Sequence, residues 1–282
     1  MKFGITFFPT DISLQPVELG VMCEELGFES LWFAEHSHIP TSRTSPWGGV
    51  KGASPLPEKY RRTHDAFVAL GAIAGVTNQI KLCTGITLIA QRDAIWTAKE
   101  VASLDVISGG RAIFGIGYGW NREEMASHGV DYRVRRDLTR EKVLMMKALW
   151  TDDIAAFEGE LISLPPSWAW PKPLQKPHPP IILGAGAGPK TIAHLAEFCD
   201  GWIPLGRHEL EGKVDEVRET VAATGREGFE ITYYGAGRSA EGLDRLAALG
   251  IERAVFRLES DTPDEVRRNL RECAAAMADY AG

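Results

Sequence analysis

Four stretches of this sequence carry residue types at spacings suited to chemistry on a bound small molecule. The first is Phe33-Ala34-Glu35-His36-Ser37-His38. An imidazole titrates near neutral pH, so His36 can donate or accept a proton. Adjacent residues of an extended chain point to opposite faces, so Glu35 and His36 cannot both aim at one site. His36 and His38 also have the spacing of a metal pair, but no third ligand stands out and no metal site is expected. The second stretch is Gly85-Ile86-Thr87, where a glycine inside an apolar run marks a bulge, a close approach by a ligand or a tight packing position. Gln91-Arg92-Asp93 follows it, with Asp93 suited to a helix N-cap. The third runs from Gly115 to Glu124 as Gly115-Ile116-Gly117-Tyr118-Gly119-Trp120-Asn121-Arg122-Glu123-Glu124. Its alternate glycines would let a flat ring lie against bare backbone. Asn121 has the type to cap the following helix, and Glu123 and Glu124 complement its positive end. The spacing is not that of the dinucleotide-binding glycine fingerprint. The fourth is Gly184-Ala185-Gly186-Ala187-Gly188-Pro189-Lys190-Thr191, a small-residue turn leading into a helix with proline in its first turn. Exposed N–H groups and the helix dipole would make that junction an anion site, with Lys190 adding a cation.

The elements that must position these groups follow from periodicity. Apolar runs at 2–8, 30–34, 80–88, 111–117, 181–184, 201–205, 229–234 and 252–258 read as strands. Helical patterns fill 15–27, 64–77, 93–107, 121–150, 189–199, 208–224, 239–249 and 263–279. These are about eight strand–helix units, the number a parallel (β/α)₈ barrel needs, and the near-continuous apolar strands suit a sheet covered on both faces. The regular count favours the closed barrel over an open doubly wound sheet. Two irregular stretches, about 37–60 and 157–179, read as insertions after the second strand and before the fifth, in one domain spanning 1–282. The second is rich in proline and cannot form a long helix. It carries Trp168 and Trp170, which would either cover an apolar substrate or cap the barrel against water. Barrels of this kind keep their sites at the C-terminal strand ends, which is where these stretches are to be read, although Gly85-Ile86-Thr87 falls inside the third strand.

Composition narrows the partners. The 282 residues are 44 % hydrophobic and 24 % charged, with a net charge of −7, which argues against a general nucleic-acid or anionic-membrane binder. No apolar run approaches the roughly 20 residues of a membrane span, and the N-terminal stretch is too short for a signal peptide. Cys23, Cys83, Cys199 and Cys273 are scattered within apolar stretches, as buried free thiols would be. A cytoplasmic location is expected.

Taken together, Glu35-His36, Leu82-Cys83-Thr84-Gly85-Ile86-Thr87, Ser108-Gly109-Gly110-Arg111, the Gly115–Glu124 stretch and the Gly184–Thr191 turn followed by Asp200-Gly201-Trp202 resemble the bacterial luciferase-like monooxygenase superfamily. Within it they look closest to an actinobacterial group of F420-dependent oxidoreductases. The resemblance covers nearly the whole chain and implies a TIM-type barrel that binds the deazaflavin coenzyme F420, or alternatively FMN, at its C-terminal mouth. It implies that His36, with Glu35 beside it, serves catalysis as a proton donor or positioning group. The Gly85–Ile86 bond would match the family's non-proline cis peptide, with Thr87 continuing that wall. Tyr118, Gly119 and Asn121 would line the ring or its chain. Gly186, Ala187, Gly188 and Thr191 would hold the phosphate, with Lys190 helping. One departure stands out: sugar-phosphate dehydrogenases of the superfamily carry a carboxylate where this chain has Trp120, and an aspartate in place of Glu35. A more apolar substrate would suit Trp120, Trp168 and Trp170.

The expected activity is therefore F420-dependent hydride transfer to or from a small, fairly apolar molecule. The alternatives are an FMN-dependent monooxygenase using O₂, fed by a separate cofactor-reducing enzyme, and a flavin-binding barrel without turnover. An isomerase or aldolase would ask for metal ligands or a Schiff-base lysine at a strand end, and Lys2, Lys51 and Lys81 are poorly placed for that. Homodimers are common in the family.

Overall fold

Alternation of short β-branched runs with amphipathic helices produces a closed parallel barrel. The structure, a computed structural model, describes residues 1–205 and 210–281. Its barrel strands are β1 (Lys2–Phe7), β2 (Ser30–Phe33), β3 (Lys81–Thr84) with its continuation β4 (Thr87–Leu88), and β5 (Ala112–Gly117). After a hairpin of β6 (Ala155–Glu158) and β7 (Ser163–Ser167) come β8 (Ile181–Ala185), β9 (Gly201–Pro204), β10 (Glu230–Tyr234) and β11 (Arg253–Arg257). Parallel pairing runs β1–β2–β3–β5–β8–β9–β10–β11 and closes where Lys2 of β1 meets Arg253 of β11. The helices are α1 (Pro16–Glu25), α2 (Ala66–Ala74), α3 (Ala94–Ile107), α4 (Arg122–Ser127), α5 (Arg135–Thr151), α6 (Pro189–Phe198), α7 (Leu210–Ala222), α8 (Ala240–Ala248) and α9 (Pro263–Ala281). The expected (β/α)₈ architecture is therefore present. The expected helix 208–224 begins outside the described residues.

Two expectations are refined. The third strand is not continuous: it breaks at Gly85–Ile86, whose peptide is cis, and resumes as β4. The helix expected over 121–150 is two helices, because the chain turns at Gly129, which holds φ +73°, a conformation glycine adopts without steric cost. The proline-rich insertion contains the antiparallel β6–β7 hairpin. Its turn is held by Glu141 of α5, whose carboxylate accepts the N–H groups of Glu160, Leu161 and Ile162 at 2.9–3.1 Å.

The core has two parts, as a barrel requires. Outside the sheet, Ile5, Leu31, Phe33, Leu82, Phe114, Ile181 and Leu183 bury against the helices. Inside, Trp32, Cys83, Ile113, Ile182, Ile203 and Val255 fill the lumen, with Ile86 and Tyr234 packed on top. Arg253 lies 5.6 Å from the Trp32 ring and grips Glu29 through two nitrogens at 2.8 and 2.9 Å. All four cysteines are buried and free. No helix among the described residues is long and apolar enough to cross a membrane.

Candidate active site

The chain leaves β2 in extended form, and Glu35 and His36 part as the pleat demands. Glu35 turns into the wall. One oxygen accepts the Leu88 N–H at 3.1 Å and the other pairs with Arg92 at 2.9 Å. Burial pushes its carboxyl up to about 7, with Arg92 and the Leu88 N–H only partly opposing. Arg92 is shared with Glu100 at 2.6 Å, and its own loop is held by Lys142 on the carbonyls of Ala90 and Arg92. Burial draws that lysine down to about 8.

His36 turns to the barrel mouth. It is 8 % exposed, and its Nδ1 lies 2.7 Å from Oε2 of Glu124, a carboxylate with no exposed surface. The other Glu124 oxygen accepts from Gln91 Nε2 at 2.8 Å and from the Ser37 N–H at 3.1 Å. Burial pushes the Glu124 carboxyl up, but the bonds from His36, Gln91 and Ser37 prevail and hold it below the usual range. Nε2 of His36 has no partner among the described residues. Around the imidazole stand Tyr60, with ring centroids 5.1 Å apart, and Trp120, at 5.8 Å edge-on. Trp47 and Phe8 pack on Tyr60 in turn. Trp47 belongs to the expected insertion 37–60 and Tyr60 is its last residue. That segment is tied down by Glu123 of α4, which accepts from the N–H and hydroxyl of Thr44 and the N–H of Ser45 at 2.8–3.1 Å.

The glycines of the third stretch act otherwise than expected. A Cβ on Gly115 would lie 2.0 Å from the Thr84 carbonyl oxygen, and one on Gly117 would lie 1.9 Å from Cδ1 of Ile86. Gly119, at φ +76°, faces the Met125 methyl. They make room for the protein's own atoms rather than leaving bare backbone for a ring. The side chain presented beside Gly117 and Gly184 is Ile86, which projects from the Gly85–Ile86 bulge. Asn121 sits at the α4 N-cap, yet its side chain makes no cap bond; its Nδ2 reaches Glu124 at 3.4 Å instead. Asp93 does cap α3, accepting from Trp96 N at 2.8 Å.

At the end of β8 the turn opens to solvent, with Gly186 exposed and Gly188 and Ala187 half-buried. A Cβ on Gly188 would meet nothing within 4 Å. Gly188 is the N-cap of α6 and Pro189 its first residue, as expected. Thr191 is buried beneath the turn. Tyr118, at the end of β5, reaches His194 of α6 with 2.7 Å between Oη and Nδ1, so the two loops are joined. Burial draws His194 down to about 4. Lys190 points away, to Asp137 of α5 at 2.5 Å.

Trp168 and Trp170 do not join the mouth. The insertion that carries them connects a helix C-terminus to the next strand start, so it lies at the opposite end of the barrel. Lys172 accordingly bonds the carbonyls of Leu149 and Asp152 where α5 ends, and Gln175 bonds Asp105 and the Ala112 carbonyl at the base of β5. Both indoles are largely exposed, 80 % and 59 %. Conversely, Glu124, Gln91, Tyr60 and Trp47 stand around His36 without having been singled out as site residues from the sequence. The aromatic residues in and bordering the first insertion were the available signal.

Residues 13–277 match the family described as luciferase-like monooxygenase. An uncharacterised protein of Mycobacterium tuberculosis is 35 % identical over 99 % of both chains. An F420-dependent glucose-6-phosphate dehydrogenase of Kineococcus radiotolerans is 31 % identical over 81 % of this chain and 60 % of its own length. An FMNH₂-dependent dimethylsulfone monooxygenase of Pseudomonas putida is 28 % identical over 57 % of this chain and 46 % of its own. Among solved structures, the monooxygenase RslO1 of Streptomyces bottropensis superimposes with a TM-score of 0.79 at 18 % identity, each chain covered in full, a likeness of fold.

Proposed function

The chain belongs to the luciferase-like monooxygenase family, and from that membership we propose that it is a coenzyme F420-dependent oxidoreductase. The reaction is hydride transfer to or from a small, fairly apolar organic substrate. The observation that carries this reading is the His36 imidazole, buried at the mouth with one nitrogen on a carboxylate and the other unpartnered. A hydride moved to or from carbon needs a matching proton on the heteroatom, and such a group can exchange it.

The residues present fit a flavin-type cofactor. The turn at Gly186–Gly188 leaves backbone open ahead of α6, suited to a phosphate. Buried oxygens of Gln91, Asn121 and Thr87 lack partners among the described residues and suit the polar edge of a ring. Gly85, Ile86 and Thr87 would support that ring, and Tyr118, Gly119 and Asn121 would border it. Gly186, Ala187, Gly188 and Thr191 would hold the phosphate, and Lys190 would reach it by leaving Asp137. Bound there, F420 supplies the two-electron hydride chemistry. His36 Nε2 would hold the moving proton, while Tyr60 and Trp120 exclude water. Glu35 acts from within the wall, holding Arg92 and the Leu88 end of β4. Trp120, where a carboxylate would serve a sugar-phosphate dehydrogenase, supports an apolar substrate instead.

F420 ranks above FMN because the F420-dependent relative matches a longer stretch of this chain at higher identity. The FMNH₂-dependent relative favours a second reading, an FMN-dependent monooxygenase served by a separate reductase. Titration of the purified protein with F420 and with FMN, followed by absorbance and fluorescence, separates the two. Saturable F420 binding is the expected result; tight FMN binding with no affinity for F420 would reverse the assignment.

A further inference from the structure

We propose that Glu124 is the positioning residue for the proton-exchanging imidazole: it keeps the hydrogen of neutral His36 on Nδ1 and leaves Nε2 as the nitrogen that works at the mouth. This rests on His36 having the proton role proposed above. An ionised carboxylate only accepts hydrogen bonds, so the ring nitrogen 2.7 Å from Glu124 Oε2 must carry a hydrogen. Every described polar neighbour of that carboxylate donates to it. Gln91 Nε2 and the Ser37 N–H hold Oε1 at 2.8 and 3.1 Å, the Ser37 hydroxyl lies at 3.4 Å, and Asn121 Nδ2 lies 3.4 Å from Oε2. A carboxylate ringed by donors from three separate segments cannot rotate without losing them, so its direction is fixed and the ring's with it.

Other titratable groups face this network from each side. The Ser37 hydroxyl touches His128 Nε2 at 2.7 Å and His38 Nδ1 at 3.0 Å, both at the surface. Tyr60 stands on the mouth side. Beyond Gln91 lie Lys142 and Arg92, the latter with Glu35, Glu100 and Asp65. None of these contacts the His36 ring nitrogens among the described residues.

The test is side-chain ¹⁵N NMR on the full chain, with the His36 signal identified by its loss in His36→Asn. In the wild type the neutral ring should be the Nδ1–H tautomer. In Glu124→Gln the amide oxygen should take the Gln91 and Ser37 donors and turn its NH₂ to Nδ1, so the neutral ring should become the Nε2–H tautomer, and Glu124→Asp should restore the Nδ1–H form. In turnover, Glu124→Gln should lower kcat about 100-fold with KM changed less than about threefold, a split that a general loss of structure would not give. An Nε2–H tautomer in the wild type, or an unchanged tautomer in folded Glu124→Gln, overturns the proposal. Should Glu124→Gln fail to fold by circular dichroism, the wild-type tautomer alone decides. The NMR readout needs no cofactor. If it comes out as expected while His36→Ala turns over normally, the proton role falls and the orientation of the ring stands.

Discussion

Glu35 and His36 are adjacent in the chain and both buried, yet turn to different partners, and the titration of Glu35 should show its own surroundings. A carboxyl raised to about 7 by burial binds more protons folded than unfolded between its ordinary value of 4.5 and that point. Its contribution to stability is therefore greatest near pH 4.5 and below, and is lost as pH rises toward 7. Relative to Glu35→Gln, the wild type should lose about 3 kcal/mol between pH 5 and pH 8, measurable by denaturant unfolding of both proteins across that range. A flat difference would mean that Arg92 keeps Glu35 ionised throughout. The sequence shows His36 as a candidate because its residue type and strand-end position are local facts. It does not show Glu124 as its partner, since those residues lie 88 positions apart and only the pairing of β2 with β3 and of β3 with β5 brings their loops together. Tyr60 and Trp47 were hidden for the same reason, being loop aromatics whose direction depends on where Glu123 anchors the segment.

At the scale of elements, strand order was legible because the barrel strands are buried along most of their length and alternate with helices that pack on them. The interruption between β3 and β4 leaves no periodic signal, but the glycines that accommodate it do. Gly115 faces a backbone carbonyl and Gly117 faces the tip of a side chain, so equal substitutions should have unequal effects. Gly115→Ala should lower stability by more than about 3 kcal/mol, since backbone must move. Gly117→Ala should lower it by about 1–3 kcal/mol, and Ile86→Ala in the same chain should recover part of the loss by removing the clashing atoms. Gly188→Ala, with open space around it and φ −80°, should change stability by less than about 0.5 kcal/mol. If the turn holds the cofactor phosphate, that variant should still weaken cofactor binding, which titration reads directly.

For the molecule as a whole, the two ends of the barrel divide position from chemistry. Proline-rich composition announced the second insertion but not its end, and a helix-to-strand connection necessarily returns to the base. Trp168→Ala and Trp170→Ala should accordingly leave kcat/KM within about twofold of the wild type, while Trp120→Ala should raise the KM for substrate at least several-fold. Steady-state kinetics on the three variants checks the division, and a large effect at Trp168 would undo it. The covering segment 37–60 is fastened by Glu123, whose bonds from Ser45 and Thr44 outweigh its desolvation and bring its carboxyl down to about 2. Glu123→Ala should expose that segment to limited proteolysis before the barrel unfolds. Glu123 and Glu124 are consecutive on one short helix, one fastening the cover and the other orienting the imidazole. A shift of that helix would displace both carboxylates together, so the anchor of residues 37–60 and the brace of the imidazole rest on one support.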